Sequence, residues 1–135
     1  MENNKIFTLE DIDIKANSFI LITSKRCSGK TVLVRHLLKY LLEKFDFSVI
    51  IMFSDTSSFN DDYLFIDKDL IFLTSELEPK LNKLLKIQKQ NIKNKKIINI
   101  LVLLDDVQIH AKSKELINLS TYGRHFKITT ILSSQ

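Results

Sequence analysis

The sequence predicts an α/β fold: a mostly parallel sheet with helices on its flanks. Three observations carry that expectation. Four short runs, residues 19–22, 49–53, 97–104 and 128–132, are rich in Ile, Val and Leu and do not alternate with polar residues. Strands buried on both faces read this way. Between the runs lie stretches whose apolar residues recur at helical spacing. The order is strand, helix, strand, loop, helix, strand, helix, strand, and such alternation implies parallel pairing through right-handed crossovers.

Each element follows from its residues. Residues 6–14 alternate (Ile6, Thr8, Ile12, Ile14) and suit an edge strand or hairpin arm. Residues 19–23 form a strand, 24–30 a loop and 31–42 a helix with Val34, Leu37, Leu38, Leu41 and Leu42 on one face. A short strand is expected at 71–73. Leu81, Leu84, Leu85 and Ile92 mark a second helix, interrupted by Gln88. Ser75 with Glu78 suits a capping box before it, and Pro79 sits at the same boundary. The run 97–104 is apolar except for Asn99. A shorter helix holds Leu116, Ile117 and Leu119, and the last strand follows over 126–132.

Composition narrows the class. The chain has 135 residues, read as one domain, 1–135, with 44% hydrophobic and 27% charged residues. That balance indicates a globular protein, not a disordered one. No apolar run approaches the roughly 20 residues of a membrane span, and the polar, acidic start does not read as a signal peptide. The single Cys27 forms no internal disulfide and favours a reducing compartment. The net charge is +4, with the signs interleaved, which permits nucleic-acid contact without arguing for it. A lysine-rich run at 86–96 reads as a solvated helix face; any DNA contact there is expected to be to phosphates and steeply salt-dependent. His36, His110 and His125 have no metal-like spacing with Cys27. There are only two glycines, Gly29 and Gly123, where average usage predicts about nine. Both are expected where the backbone needs them, in candidate site loops.

The first strand, loop and helix enclose SKRCSGKT, with the Gly-Lys-Thr ending of a Walker A phosphate loop. The cradle comprises Ser24, Lys25, Arg26, Cys27, Ser28, Gly29, Lys30 and Thr31. Backbone N–H groups at the helix start point at phosphate oxygens, and the helix dipole favours the anion. Gly29 frees the backbone for close approach. Lys30 is expected to reach the β- and γ-phosphates of ATP, and the Thr31 hydroxyl to ligate Mg²⁺. Ser24 stands where this motif has its first glycine, which predicts a strained or altered loop.

The run 97–104 stops at Asp105-Asp106, a carboxylate pair at a strand end, where ligands sit in α/β sheets. This looks like a Walker B motif. Asp105 is assigned to the Mg²⁺ shell through water, and Asp106 to polarising the attacking water. Glu is commoner at the second position in related ATPases. Gln135, after the last strand, is placed to hydrogen-bond that water or the terminal phosphate. Arg124 precedes the same strand. In a parallel sheet it lies at the end away from its own nucleotide, which suits an arginine finger given in trans.

SKRCSGKT, FSDTSSFNDDY, LVLLDD and YGRHFKITTILSSQ, in this order, resemble the genome-packaging ATPases of the large nucleocytoplasmic DNA viruses (poxviruses, iridoviruses and giant viruses) of the FtsK–HerA superfamily. The resemblance covers residues 16–135 and implies a P-loop NTPase with a RecA-like core and strand order 5-1-4-3-2. It implies an ATPase that drives double-stranded DNA into a preformed capsid, as a homo-oligomeric ring that meets capsid or portal-vertex proteins. The setting it implies is the viral factory of the host cytoplasm or the virion. Asp61, Asp62 and Tyr63 match the family's pattern, with a loop cap and a DNA-channel role equally open. The chain stops at Gln135, where the family continues through a further strand, so the edge of the first strand is expected to be open unless residues 6–14 cover it. The rival readings are a truncated or inactive nucleotide-binding module and a P-loop nucleotide kinase, the latter opposed by the lack of an Arg-rich lid segment.

Overall fold

A computed structural model of the protein describes residues 13–23, 29–55, 63–105 and 114–134. Its chain order is β1 (Phe19–Thr23), α1 (Lys30–Lys44), β2 (Val49–Phe53), β3 (Ile71–Phe72), α2 (Leu77–Lys93), β4 (Ile100–Leu104), α3 (Lys114–Tyr122) and β5 (Ile128–Ser134). The five strands form one sheet in the order β1-β5-β4-β2-β3, and every pairing is parallel. With the two-residue β3 set aside, the order is β1-β5-β4-β2. This is the 1-4-3-2 part of the expected arrangement, with β1 at one edge of the sheet among the described residues.

The sheet is covered on both faces. On one face α1 contributes Val34, Leu37, Leu38 and Leu41, a stripe at i, i+3, i+4 and i+7, against Met52, Leu101, Leu103 and Ile131. On the other, Leu77, Leu81 and Leu84 of α2 and Leu116 and Leu119 of α3 meet Phe53, Val102, Leu104, Ile128 and Leu132. Burial on both faces explains why β4 reads as an unbroken apolar run instead of an alternating one, and in β5 it also encloses Thr129 and Thr130. Each fully buried Leu or Ile contributes about 1.5–3 kcal/mol. The two half-cores share the sheet as a common wall.

The structure corrects several boundaries. Residues 97–99 do not join β4. Ile97 is 76% exposed, and the Ile98 carbonyl accepts a hydrogen bond from the Gln88 side chain at 2.9 Å. Gln88 does not break the α2 stripe but completes it. It is buried, and its amide nitrogen bridges the carbonyls of Ile98 and Phe126 (2.7 Å) at the amino ends of β4 and β5. The expected Ser75–Glu78 capping box is displaced. A 3-10 turn, Thr74–Glu76, precedes α2, and the Glu76 carboxylate accepts from the Leu73 N–H at 3.0 Å. Pro79 then lies inside the first turn of α2, where a missing N–H costs no helical bond. The last strand begins at Ile128, because residues 123–127 form the turn that leaves α3. The edge element expected at 6–14 lies almost wholly outside the described residues. Its last two, Asp13 and Ile14, are not strand.

Candidate functional site at the carboxyl ends of the strands

In a parallel sheet all strands end on the same side, and here those ends are polar. Register and parity decide which groups meet. Phe53 pairs with Leu104, and Leu104 with Leu132, so Ser54, Asp105 and Ser133 form the next row across β2, β4 and β5. Met52, Leu103 and Ile131 face α1, and side chains two residues on share that face. The row therefore points to the α1 side. Ser54 and Ser133 are buried, and Asp105 is half-buried. The Ser54 hydroxyl donates to Asp105 Oδ2 at 3.2 Å, and the Asp105 N–H donates to the Phe53 carbonyl at 3.0 Å.

The start of α1 faces the same edge. Gly29 is its N-cap residue, at φ 85 and ψ 14, a left-handed conformation that favours glycine. A Cβ at Gly29 would meet no described protein atom within 4 Å, so the backbone angle by itself favours glycine here. Lys30 and Thr31 are the first two helical residues. The first turn carries no acidic side chain to balance the helix dipole. The positive end of the helix dipole there suits an anion. β1 and β4 are separated by β5 alone, and two strand spacings of about 4.8 Å put their ends about 10 Å apart. α1, which follows β1, packs on one face of the sheet, and α3, which follows β4, packs on the other.

The expected site residues divide as follows. Gly29, Lys30, Thr31 and Asp105 come to one edge of the sheet. Ser24, Lys25, Arg26, Cys27, Ser28, Asp106 and Gln135 lie outside the described residues, as do Asp61 and Asp62. Arg124 is exposed in the turn before β5, a full seven-residue strand from the site edge. Gly123 shares that remote turn, so its reason is packing: a Cβ there would lie 2.5 Å from the Leu119 carbonyl oxygen. Tyr63 is 2% exposed and belongs to the core beneath α1, so its side chain is a packing element. Sequence reasoning missed Ser54. The available signal was a hydroxyl placed directly at the end of an apolar run.

Asp55, next to Ser54, turns the other way. Its carboxylate accepts from the Thr74 hydroxyl (2.6 Å) and the Thr74 N–H (2.9 Å). These two bonds hold its carboxyl below the ordinary carboxylate value. A groove of about 530 Å³ runs along the outer face of α1, lined by Val32, Arg35, His36, Lys39 and Phe65 among others. None of the strand-end residues lines it, so it is separate from the candidate site.

An all-parallel sheet flanked by helices, with a helix opening on Gly-Lys-Thr and a carboxylate at the end of a nearby strand, is the α/β arrangement of the P-loop NTPase fold. Solved structures agree on the fold. The DNA-packaging ATPase B204 of Sulfolobus Turreted Icosahedral Virus is similar with a TM-score of 0.56 and 17% identity, over 90% of this chain and 67% of that one. The cytoplasmic domain of EssC is similar with a TM-score of 0.56 and 15% identity, over 88% of this chain and 25% of that one. No curated protein matches the sequence. Residues 5–135 match the Poxvirus A32 protein family, and the chain belongs to that family. No helix among the described residues is long and apolar enough to cross a membrane.

Proposed function

We propose that the protein binds ATP with Mg²⁺ and hydrolyses it to drive double-stranded DNA into viral capsids. The observation that carries this reading is the meeting of the α1 N-terminus, with Lys30 and Thr31, and Asp105 at one edge of a parallel sheet. A neighbour in fold, B204, is named as a DNA-packaging ATPase, which supports the packaging role.

The donor set fits Mg²⁺, which takes one or two protein oxygens and fills its shell with water and phosphate. Thr31 and Asp105 would hold it, and bound there it neutralises charge on the β- and γ-phosphates. The α1 N–H groups bind the phosphates, and Lys30 takes the β/γ oxygens. Asp106 polarises a water, whose oxygen attacks the γ-phosphorus as the bond to the β–γ bridging oxygen breaks. The products are ADP and inorganic phosphate. Gln135 orients the water or the terminal phosphate. Arg124, at the far end of β5, serves the neighbouring subunit of a ring. The exposed Lys83, Lys86, Lys89 and Lys93 of α2 offer a phosphate-binding face for non-specific DNA contact. The reading places the protein in the viral factory or the virion, working with capsid or portal-vertex proteins.

The test is steady-state ATP hydrolysis with Mg²⁺, with and without double-stranded DNA, beside Lys30→Ala and Asp106→Asn. DNA-stimulated turnover lost in both variants supports the motor. A folded chain that binds ATP without turning it over supports a nucleotide-binding module and overturns the enzyme.

A further inference from the structure

We infer that Ser54 is a positioning residue for Asp105, whose hydroxyl sets the orientation of the carboxylate assigned above to Mg²⁺. The inference rests on that functional reading and adds a residue to it. Ser54 is 2% exposed, directly past the end of β2. A buried hydroxyl needs a partner, since an unpaired one is costly. Its donor goes to Asp105 Oδ2 at 3.2 Å. A bond to an ionised acceptor is stronger than one between neutral groups.

The surrounding backbone makes Ser54 a fixed donor. Its own N–H donates to the Phe72 carbonyl at 2.9 Å. The next residue, Asp55, is tied to Thr74 by both carboxylate oxygens. Ser54 is thus clamped from the β3 side while its hydroxyl faces β4. The end of β2 meets Asp105 twice, once at its N–H through Phe53 and once at its carboxylate through Ser54. The terminal torsion of an aspartate is broad and weakly set by itself. A hydroxyl bonded to Oδ2 selects one orientation of the carboxylate. Supporting bonds of this kind commonly change metal affinity by about 10–100-fold when removed.

The test compares ATP affinity in EDTA and in saturating Mg²⁺, using a fluorescent ATP analogue, for the parent chain and Ser54→Ala. The parent is expected to bind more tightly with Mg²⁺. In Ser54→Ala that gain is expected to shrink about tenfold while affinity in EDTA holds within about twofold. Ser54→Thr, which keeps the hydroxyl, is expected to restore most of the gain. On an Asp105→Asn background, Ser54→Ala is expected to add no further loss. If Ser54→Ala does not fold at the assay temperature, Ser54→Cys, near in size and a weak donor, takes its place. An unchanged Mg²⁺ gain overturns the positioning role and leaves the functional reading standing. An equal loss with and without Mg²⁺ means a structural role and overturns it too. A parent chain with no Mg²⁺-dependent ATP binding overturns the functional reading and this inference together.

Discussion

Backbone angles explain how this chain manages with two glycines. Four described residues have positive φ, but only Gly29 among them is glycine; the others are Asn17, Lys95 and Lys127. Asn tolerates the left-handed region, whereas Lys does so at a cost of about 1–2 kcal/mol. Lys95 ends α2 in a Schellman motif: its N–H donates to the Ile92 carbonyl (3.0 Å) and the Lys96 N–H to the Asn91 carbonyl (2.8 Å). Glycine is the usual residue at that position. Lys95→Gly is therefore expected to stabilise the protein by about 0.5–1 kcal/mol, since the relief of strain is only partly offset by glycine's unfolded-state entropy. Urea denaturation reads this directly, and a destabilised variant sinks the idea. Gly123 is the opposite case, an ordinary φ with no room beside it. Gly123→Ala puts a methyl 2.5 Å from a backbone oxygen of α3, so backbone must shift and about 1–3 kcal/mol is lost. The scarcity of glycine in the sequence drew attention to both positions. It did not distinguish an angle from a contact, because that distinction is set by what the folded chain brings alongside.

Elements were legible where periodicity alone decides them and blurred where a single side chain intervenes. The α1 stripe follows from its helical period, and β2 and β4 follow from hydropathy because they are wholly apolar, while β5 carries Thr129 and Thr130 buried beside its apolar residues. Gln88 defeats that logic. Hydropathy counts it as an interruption, but its amide joins α2 to the carbonyls of two strand starts that the sheet leaves unpaired. Gln88→Leu keeps the volume and strips both carbonyls of their donor. It is expected to cost about 2–4 kcal/mol in denaturant unfolding, more than a surface change by far. The site was legible in the same uneven way. Motif spacing led to Lys30, Thr31 and Asp105, while Ser54 emerges only from strand register. At the same edge, Asp55 and Thr74 join the chain after β2 to the turn after β3. The Asp55 carboxyl is held below its ordinary value in the folded state. Its contribution is present in full above the unfolded value and is lost as pH falls through the lower folded one. Acid unfolding followed by circular dichroism should show a shallower loss of stability for Asp55→Asn and Thr74→Val than for the parent. The difference is small, because Asp55 is exposed and screened.

Across the whole molecule, the packed cores and the candidate site occupy different places. The two half-cores lie on the faces of the sheet, and the polar row lies at one edge of it. Groups at that edge can bind a ligand without belonging to the packing that holds the chain folded. Binding to the native state alone then adds stability by mass action, about 2.7 kcal/mol when free ligand is 100-fold above its Kd. For a domain of this size that amounts to a rise of roughly 8–12 °C in Tm. Mg²⁺ with ATP is expected to produce such a shift in the parent chain. Lys30→Ala is expected to melt at the parent's ligand-free temperature and to show almost none of the rise, since Lys30 is a half-buried helix-start residue outside both cores. Arg124 separates binding from turnover. It sits beyond the amino end of β5, with the length of the strand between it and Ser134. Arg124→Ala is expected to keep the ligand-induced rise and to lower DNA-stimulated turnover by about 10³-fold or more, as loss of a finger supplied by a neighbour does. Mixing it with Lys30→Ala should restore part of the turnover, because each variant supplies what the other lacks. Loss of the melting shift in dilute Arg124→Ala would place the arginine at its own nucleotide and rule out a role in trans.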